Sequence, residues 1–128
     1  MNRVIHFEIQ ADNVERAIKF YKNALGWKIT KWPGEAGGMD YWMIETGNKT
    51  PGINGGLYQR SEGKDKFYLY DCTIGVADLD KAMADVKAGG SMIIRNKMEI
   101  PKVGWFARAV DTEDNRFGLM QATDMRTK

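Results

Sequence analysis

A histidine and a glutamate stand two positions apart near the N-terminus, in Val4–Gln10 (VIHFEIQ). Side chains alternate along an extended segment, so His6 and Glu8 share one face. An imidazole there can serve as a general base near neutral pH, a metal ligand, or a hydrogen-bonding wall of a pocket. Glu8 can pair with it and raise its pKa, or face solvent at a rim. Asp71 and Thr73, within Tyr70–Val76 (YDCTIGV), repeat the same spacing. A buried Asp71 needs a partner, for which His6 is a candidate; otherwise it is a surface residue at a strand start. Tyr58 and Met120 offer an aromatic and a thioether, suited to an apolar ligand wall or to core packing. Cys72 falls between Asp71 and Thr73 and is expected on the opposite face, buried as a small hydrophobe. That parity excludes Cys–His nucleophilic chemistry. Cys72 is also the only cysteine, so an intrachain disulfide or thiolate metal cage is excluded. No glycine-rich phosphate loop of the P-loop or Rossmann kind is present.

These residues need elements to hold them. Arg3–Gln10 reads as a strand. Asn13 is a good N-cap, and Val14, Ala17, Ile18, Tyr21 and Leu25 form an apolar stripe at helical spacing up to a stop at Gly26. Strands are expected over Trp27–Trp32, Tyr41–Glu45 and Ile53–Gln59, with a loop over Pro33–Gly38. Arg60–Lys66 is polar and is the one plausible linker. The order then recurs. Phe67–Val76 is a strand, and Asp78 caps a helix with Leu79, Ala82, Met83 and Val86 on its stripe. Strands follow over Ser91–Arg95, Val103–Val110 and Arg116–Gln121. Asp111–Asn115 makes a tight turn, and the tail from Ala122 is polar and frayed.

The halves align. Asn13–Ala17 lies over Asp78–Ala82 at an offset of 65, Tyr41-Trp42 over Trp105-Phe106 at 64, and Gly56–Gln59 over Gly118–Gln121 at 62. Three matches in the same order on equivalent elements indicate a βαβββ duplication. The expected fold class is α+β: two βαβββ modules forming a curved mixed sheet with a concave cup, and helices on the outer face. Equivalent strand positions of the two halves are expected to converge on the cup. The 128 residues suit a single domain, with module one at about 3–59, the linker at about 60–66 and module two at about 67–121.

Composition narrows the partners. Nineteen basic and seventeen acidic residues are interspersed, giving a net charge of +2 and no nucleic-acid patch. No apolar run approaches a membrane-spanning length. The run MNRVIHFEIQ does not read as a signal peptide, so a cytoplasmic setting is expected.

The residues His6–Ile9, Asn13–Ala17 leading to Phe20-Tyr21 and Leu25–Trp27, Val76–Ala82, and Asp111–Asn115 before Phe117–Leu119 form an ordered set. This set resembles the vicinal oxygen chelate superfamily, which includes glyoxalase I, extradiol dioxygenases and bleomycin-resistance proteins. Asp111–Asn115 resembles the family's Asp-Pro-x-Gly-Asn turn, with Thr112 and Asp114 departing from it. The resemblance implies a metal site with a His on the first strand, an acid on the last strand of module one, a second His on the first strand of module two, and a final Glu. His6 matches the first position. Gly56, Asp71 and Gly118 stand at the others, and glycine supplies no side-chain donor.

The resulting expectation is a glyoxalase/bleomycin-resistance-like protein that binds a small organic ligand in the cup, through His6, Glu8, Tyr58, Asp71, Thr73 and Met120. No cofactor is expected. A divalent metal is disfavoured, with His6 and Asp71 as its remaining candidate ligands. A homodimer is expected, without nucleic-acid or membrane partners. The alternative is a metal-dependent or His-based lyase, isomerase or dioxygenase of the same superfamily.

Overall fold

The computed structural model describes residues 1–34, 38–61 and 69–123. Most of the expected linker (62–66), the expected strand start at 67–68, part of the Pro33–Gly38 loop and the end of the tail lie outside the described residues. Eight strands and two helices follow in the order β1 (Arg3–Ala11), α1 (Val14–Leu25), β2 (Lys28–Lys31), β3 (Trp42–Glu45), β4 (Gly55–Gln59), β5 (Asp71–Gly75), α2 (Leu79–Ala88), β6 (Met92–Ile100), β7 (Gly104–Val110) and β8 (Arg116–Ala122). This is the βαβββ order twice over. The chain packs as two compact units, His6–Tyr70 and Met1–Ile5 with Asp71–Lys128. Among the described residues no helix is long and apolar enough to cross a membrane.

In the first unit the strands run in the order β2-β3-β4-β1. Strands β1 and β4 are parallel, with Glu8 beside Gly56 and Gln10 beside Tyr58. Strands β3 and β4 are antiparallel, with Met43 beside Gly56. Helix α1 begins where Asn13 Oδ1 accepts from the Arg16 amide (3.0 Å), removing one orphan donor. It ends at Gly26, whose φ of 72° is the left-handed cap that glycine takes without steric cost. Val14, Ala17, Ile18 and Tyr21 pack on Phe7, Ile9, Ile44 and Leu57. Leu25, expected at the end of that stripe, is 55% exposed instead. The Trp27 ring lies flat on Tyr21 at 4.9 Å and takes the sheet-side space. Alternation along β1 leaves His6, Glu8 and Gln10 on the opposite face.

In the second unit the order is β5-β8-β7-β6. Thr73 lies beside Gly118 across the parallel β5–β8 pair. Asp78 caps α2 by accepting from the Lys81 amide (3.1 Å), and Gln121 Oε1 accepts from the Leu79 amide (2.8 Å). Leu79 and Val76 pack with Ala107, Ala109 and Leu119. The second strand of this module, β6, runs to Ile100, five residues past the expected end at Arg95. It is the edge strand beside β7, where solvent accepts Arg95, Asn96 and Lys97, and two register shifts absorb the broken alternation.

Cys72 is a correction. Its pairing with Phe117 puts it on the helix-side face with Ile74, as parity requires, but it is exposed. Helix α2 packs chiefly on β6, β7 and β8, and its main contacts do not include β5.

Candidate functional site

On the first unit's sheet face opposite α1, β1 presents His6, Glu8 and Gln10, and the chain entering β3 adds Tyr41. The Tyr41 hydroxyl lies 2.7 Å from His6 Nε2 and donates to Glu8 Oε2 at 2.9 Å. Glu8 itself is 4.0 Å from the imidazole. Glu8 is therefore joined to His6 through the phenol. Burial pushes the His6 pKa below its ordinary 6.5, and the Glu8 charge opposes that shift without overcoming it. This corrects the expectation of a raised value: losing water costs the imidazolium more than Glu8 returns.

The face continues through Tyr58. Its ring stacks near Tyr41 (6.3 Å between centroids), and its hydroxyl accepts from Gln10 Nε2 at 3.0 Å. Gln10 Oε1 is buried without a hydrogen-bond partner among the described residues. Tyr58 is buried and belongs to this polar cluster, so it is more than apolar wall.

The corresponding face of the second unit carries Asp71, Thr73, Phe106, Arg108, Gly118 and Met120. Asp71 is 2% exposed, which overturns the surface reading of it. Its carboxylate accepts from Arg108 Nη1, an ion pair inside the protein. The Arg108 guanidinium also lies over the Phe106 ring at 5.2 Å. Thr73 is buried, and Met120 is half-buried.

Register corrects the alignment of the halves by one residue. Trp42 pairs with Leu57, which puts Tyr41 beside Tyr58; Phe106 pairs with Met120. Tyr41 is thus the structural counterpart of Phe106, at the same offset of 65 that relates Asn13 to Asp78. Both rings do the same thing. A Cβ built on Gly56 would fall inside the Tyr41 phenol. A Cβ on Gly118 would lie 2.7 Å from the Phe106 ring and 3.0 Å from Thr73 Oγ1. In each unit a last-strand glycine admits an aromatic ring from the neighbouring strand or the chain entering it.

Each unit carries four strands of one mixed topology, with one helix on one face and a polar cluster on the other, and this repeated α+β arrangement is a vicinal-oxygen-chelate-type fold. The chain belongs to the Glyoxalase/Bleomycin resistance protein/Dioxygenase superfamily, whose family model matches residues 3–119. No curated protein matches the chain. Among solved structures it is similar to a hypothetical protein from Bacillus halodurans C-125 (14% identity, TM-score 0.73, covering 96% of each chain). It is also similar to methylmalonyl-CoA epimerase from Mycobacterium tuberculosis (12% identity, TM-score 0.71, covering 94% of this chain and 88% of that one). A third is a variant of Streptomyces coelicolor methylmalonyl-CoA epimerase in complex with 2-nitronate-propionyl-CoA (15% identity, TM-score 0.70, covering 97% and 99%). At these identities the likeness establishes the fold.

The family's metal can be tested against the residues at its positions. His6 could donate one nitrogen. Gly56 and Gly118 have no donor, and the space in front of each is filled by Tyr41 and by Phe106 with Thr73. Asp71 already carries a guanidinium, which opposes a second cation on the same carboxylate. A divalent catalytic ion needs about three protein ligands, and the described residues at these positions do not fit one.

Sequence reasoning singled out His6, Glu8, Tyr58, Asp71, Thr73 and Met120, and missed Tyr41, Gln10, Phe106 and Arg108. A signal for Tyr41 was available. A glycine on the last strand and a large aromatic at the mouth of the neighbouring strand can fill one volume between them.

Proposed function

We propose that this protein binds a small organic molecule on the sheet faces opposite its helices, in the manner of bleomycin-resistance proteins, without the family's divalent metal. The observation that supports the reading is the pair Gly56 and Gly118, glycines where the resemblance implies acidic ligands, each with an aromatic ring where a side chain would project. His6, Glu8 and Tyr58 are the proposed ligand-facing residues of the first unit, and Asp71, Thr73 and Met120 those of the second. The unpartnered Gln10 Oε1 adds support, because a buried acceptor without a donor is costly until something supplies one. The two modules are proposed to work as one domain, in a cytoplasmic homodimer with no nucleic-acid or membrane partner.

A second reading has its own support. His-based lyase or isomerase chemistry needs a neutral imidazole with an available lone pair, and burial favours neutral His6. Two measurements test the reading. Elemental analysis of protein purified without chelators is expected to find no stoichiometric divalent ion. A thermal-shift screen of small aromatic and carbonyl compounds is expected to give stabilisation without turnover. A stoichiometric ion lost in His6→Ala would overturn the metal-free reading, and turnover of a stabilising compound would favour the second one.

A further inference from the structure

The hydrogen bonds around His6 have a direction. A carboxylate only accepts, so the single Tyr41 proton goes to Glu8 Oε2 (2.9 Å). The Tyr41 oxygen then has only lone pairs left for the contact at 2.7 Å, and His6 Nε2 must supply the proton. An imidazole protonated at Nε2 and otherwise neutral carries its lone pair on Nδ1. Nδ1 has no hydrogen-bond partner among the described residues, and the His6 side chain is 31% exposed, so a ligand can reach it.

We propose that Glu8 and Tyr41 lock His6 in the Nε2–H tautomer and so present Nδ1 as a directed acceptor for a ligand that donates an O–H or N–H. This deepens the ligand-binding reading and rests on it for the identity of the occupant. Tyr41 is a positioning residue, acting through His6. The ligand class follows from direction. A ligand offering only anionic oxygens would meet the Nδ1 lone pair with no proton between them. A neutral or weakly acidic hydroxyl or amide supplies that proton.

Having one histidine makes the test clean, because all imidazole 15N signals come from His6. Long-range 1H–15N spectra of the unliganded full chain should show a protonated Nε2 and a pyridine-type Nδ1 in a single tautomer. Tyr41→Phe keeps the ring that fills the space over Gly56 but removes the oxygen, and should release His6 to a mixture of tautomers. Phenol, added as a simple O–H donor, should move the Nδ1 signal upfield, whereas anisole, similar in shape without the donor, should not. A wild-type Nδ1–H tautomer, or one unchanged by Tyr41→Phe, overturns the lock, and this measurement needs no ligand. Anisole acting as strongly as phenol overturns the donor requirement while leaving a ligand site in place. A silent phenol titration overturns the assigned ligand class even if the thermal-shift screen finds other binders.

Discussion

The Tyr41 phenol occupies the volume into which any side chain at position 56 would project. Tyr41 stands just before β3 and Gly56 on the adjoining β4, and together they fill one site: glycine gives up its side chain and the ring takes the space. The same ring then joins His6 to Glu8. Packing and polar geometry at this site therefore depend on a single pair.

Gly56→Ala should destabilise the protein by about 1–3 kcal/mol, because the Tyr41 ring must leave the place it holds over Gly56. In a Tyr41→Ala background the same change should cost much less, since the clashing ring is gone. Urea denaturation of the four proteins of this cycle measures the coupling, and additive effects would refute the shared volume.

Stability should fall with acid in a window set by His6. Its folded-state pKa lies below the unfolded 6.5. Above 6.5 both states are neutral and the full stability is present. As pH falls below 6.5 the unfolded chain binds a proton before the folded one, so stability declines until the folded pKa is passed. Glu8 and Tyr41 are the groups facing the ring. Denaturation midpoints across this range should slope for the wild type and lie flatter for His6→Gln.

The buried Asp71–Arg108 pair should be costly to halve and cheap to replace whole. Asp71→Leu or Arg108→Met alone leaves a buried charge and should cost about 3–5 kcal/mol. The double variant Asp71→Leu/Arg108→Met should recover most of that loss. Chemical denaturation gives both values, and equal losses in single and double variants would show that Asp71 and Arg108 are not each other's main support.

Asp114→Gly should stabilise the fold by about 0.5–1 kcal/mol. Asp114 holds φ at 67° in the Asp111–Asn115 turn, a left-handed conformation that costs a side chain more than it costs glycine. Asp111 ties the turn by accepting from the Glu113 and Asn115 amides (2.8 and 2.9 Å), so its geometry should survive the change. A raised thermal midpoint is the expected result.

Much of the fold was legible because its signals are local. Asn13 and Asp78 cap the helices they were expected to cap, and the repeated order of elements gave the duplication. Leu25, Cys72 and the length of β6 misled for one reason: each depends on what the neighbouring element covers. Leu25 fits the helical period, yet Trp27 takes its place. Cys72 has the parity of a buried residue on a strand outside the main contacts of α2. The site was legible in its glycines and half legible in its side chains. His6 and Glu8 announce a shared face by spacing alone. Tyr41 does not, because the pairing of Trp42 with Leu57 had to be known before Tyr41 could be set beside Gly56 and Tyr58. The alignment by residue type matched aromatic to aromatic and slipped by one position.

The glycine–aromatic pairing also constrains which variants the fold can accept. An acidic side chain introduced at position 56 would be driven into the Tyr41 ring, and trimming Tyr41 first would open a void and uncouple His6 from Glu8. Position 118 stands in the same relation to Phe106. Each route to a carboxylate at these positions crosses a damaged intermediate. Sterics thus disfavour an acid at either place, whatever the protein binds.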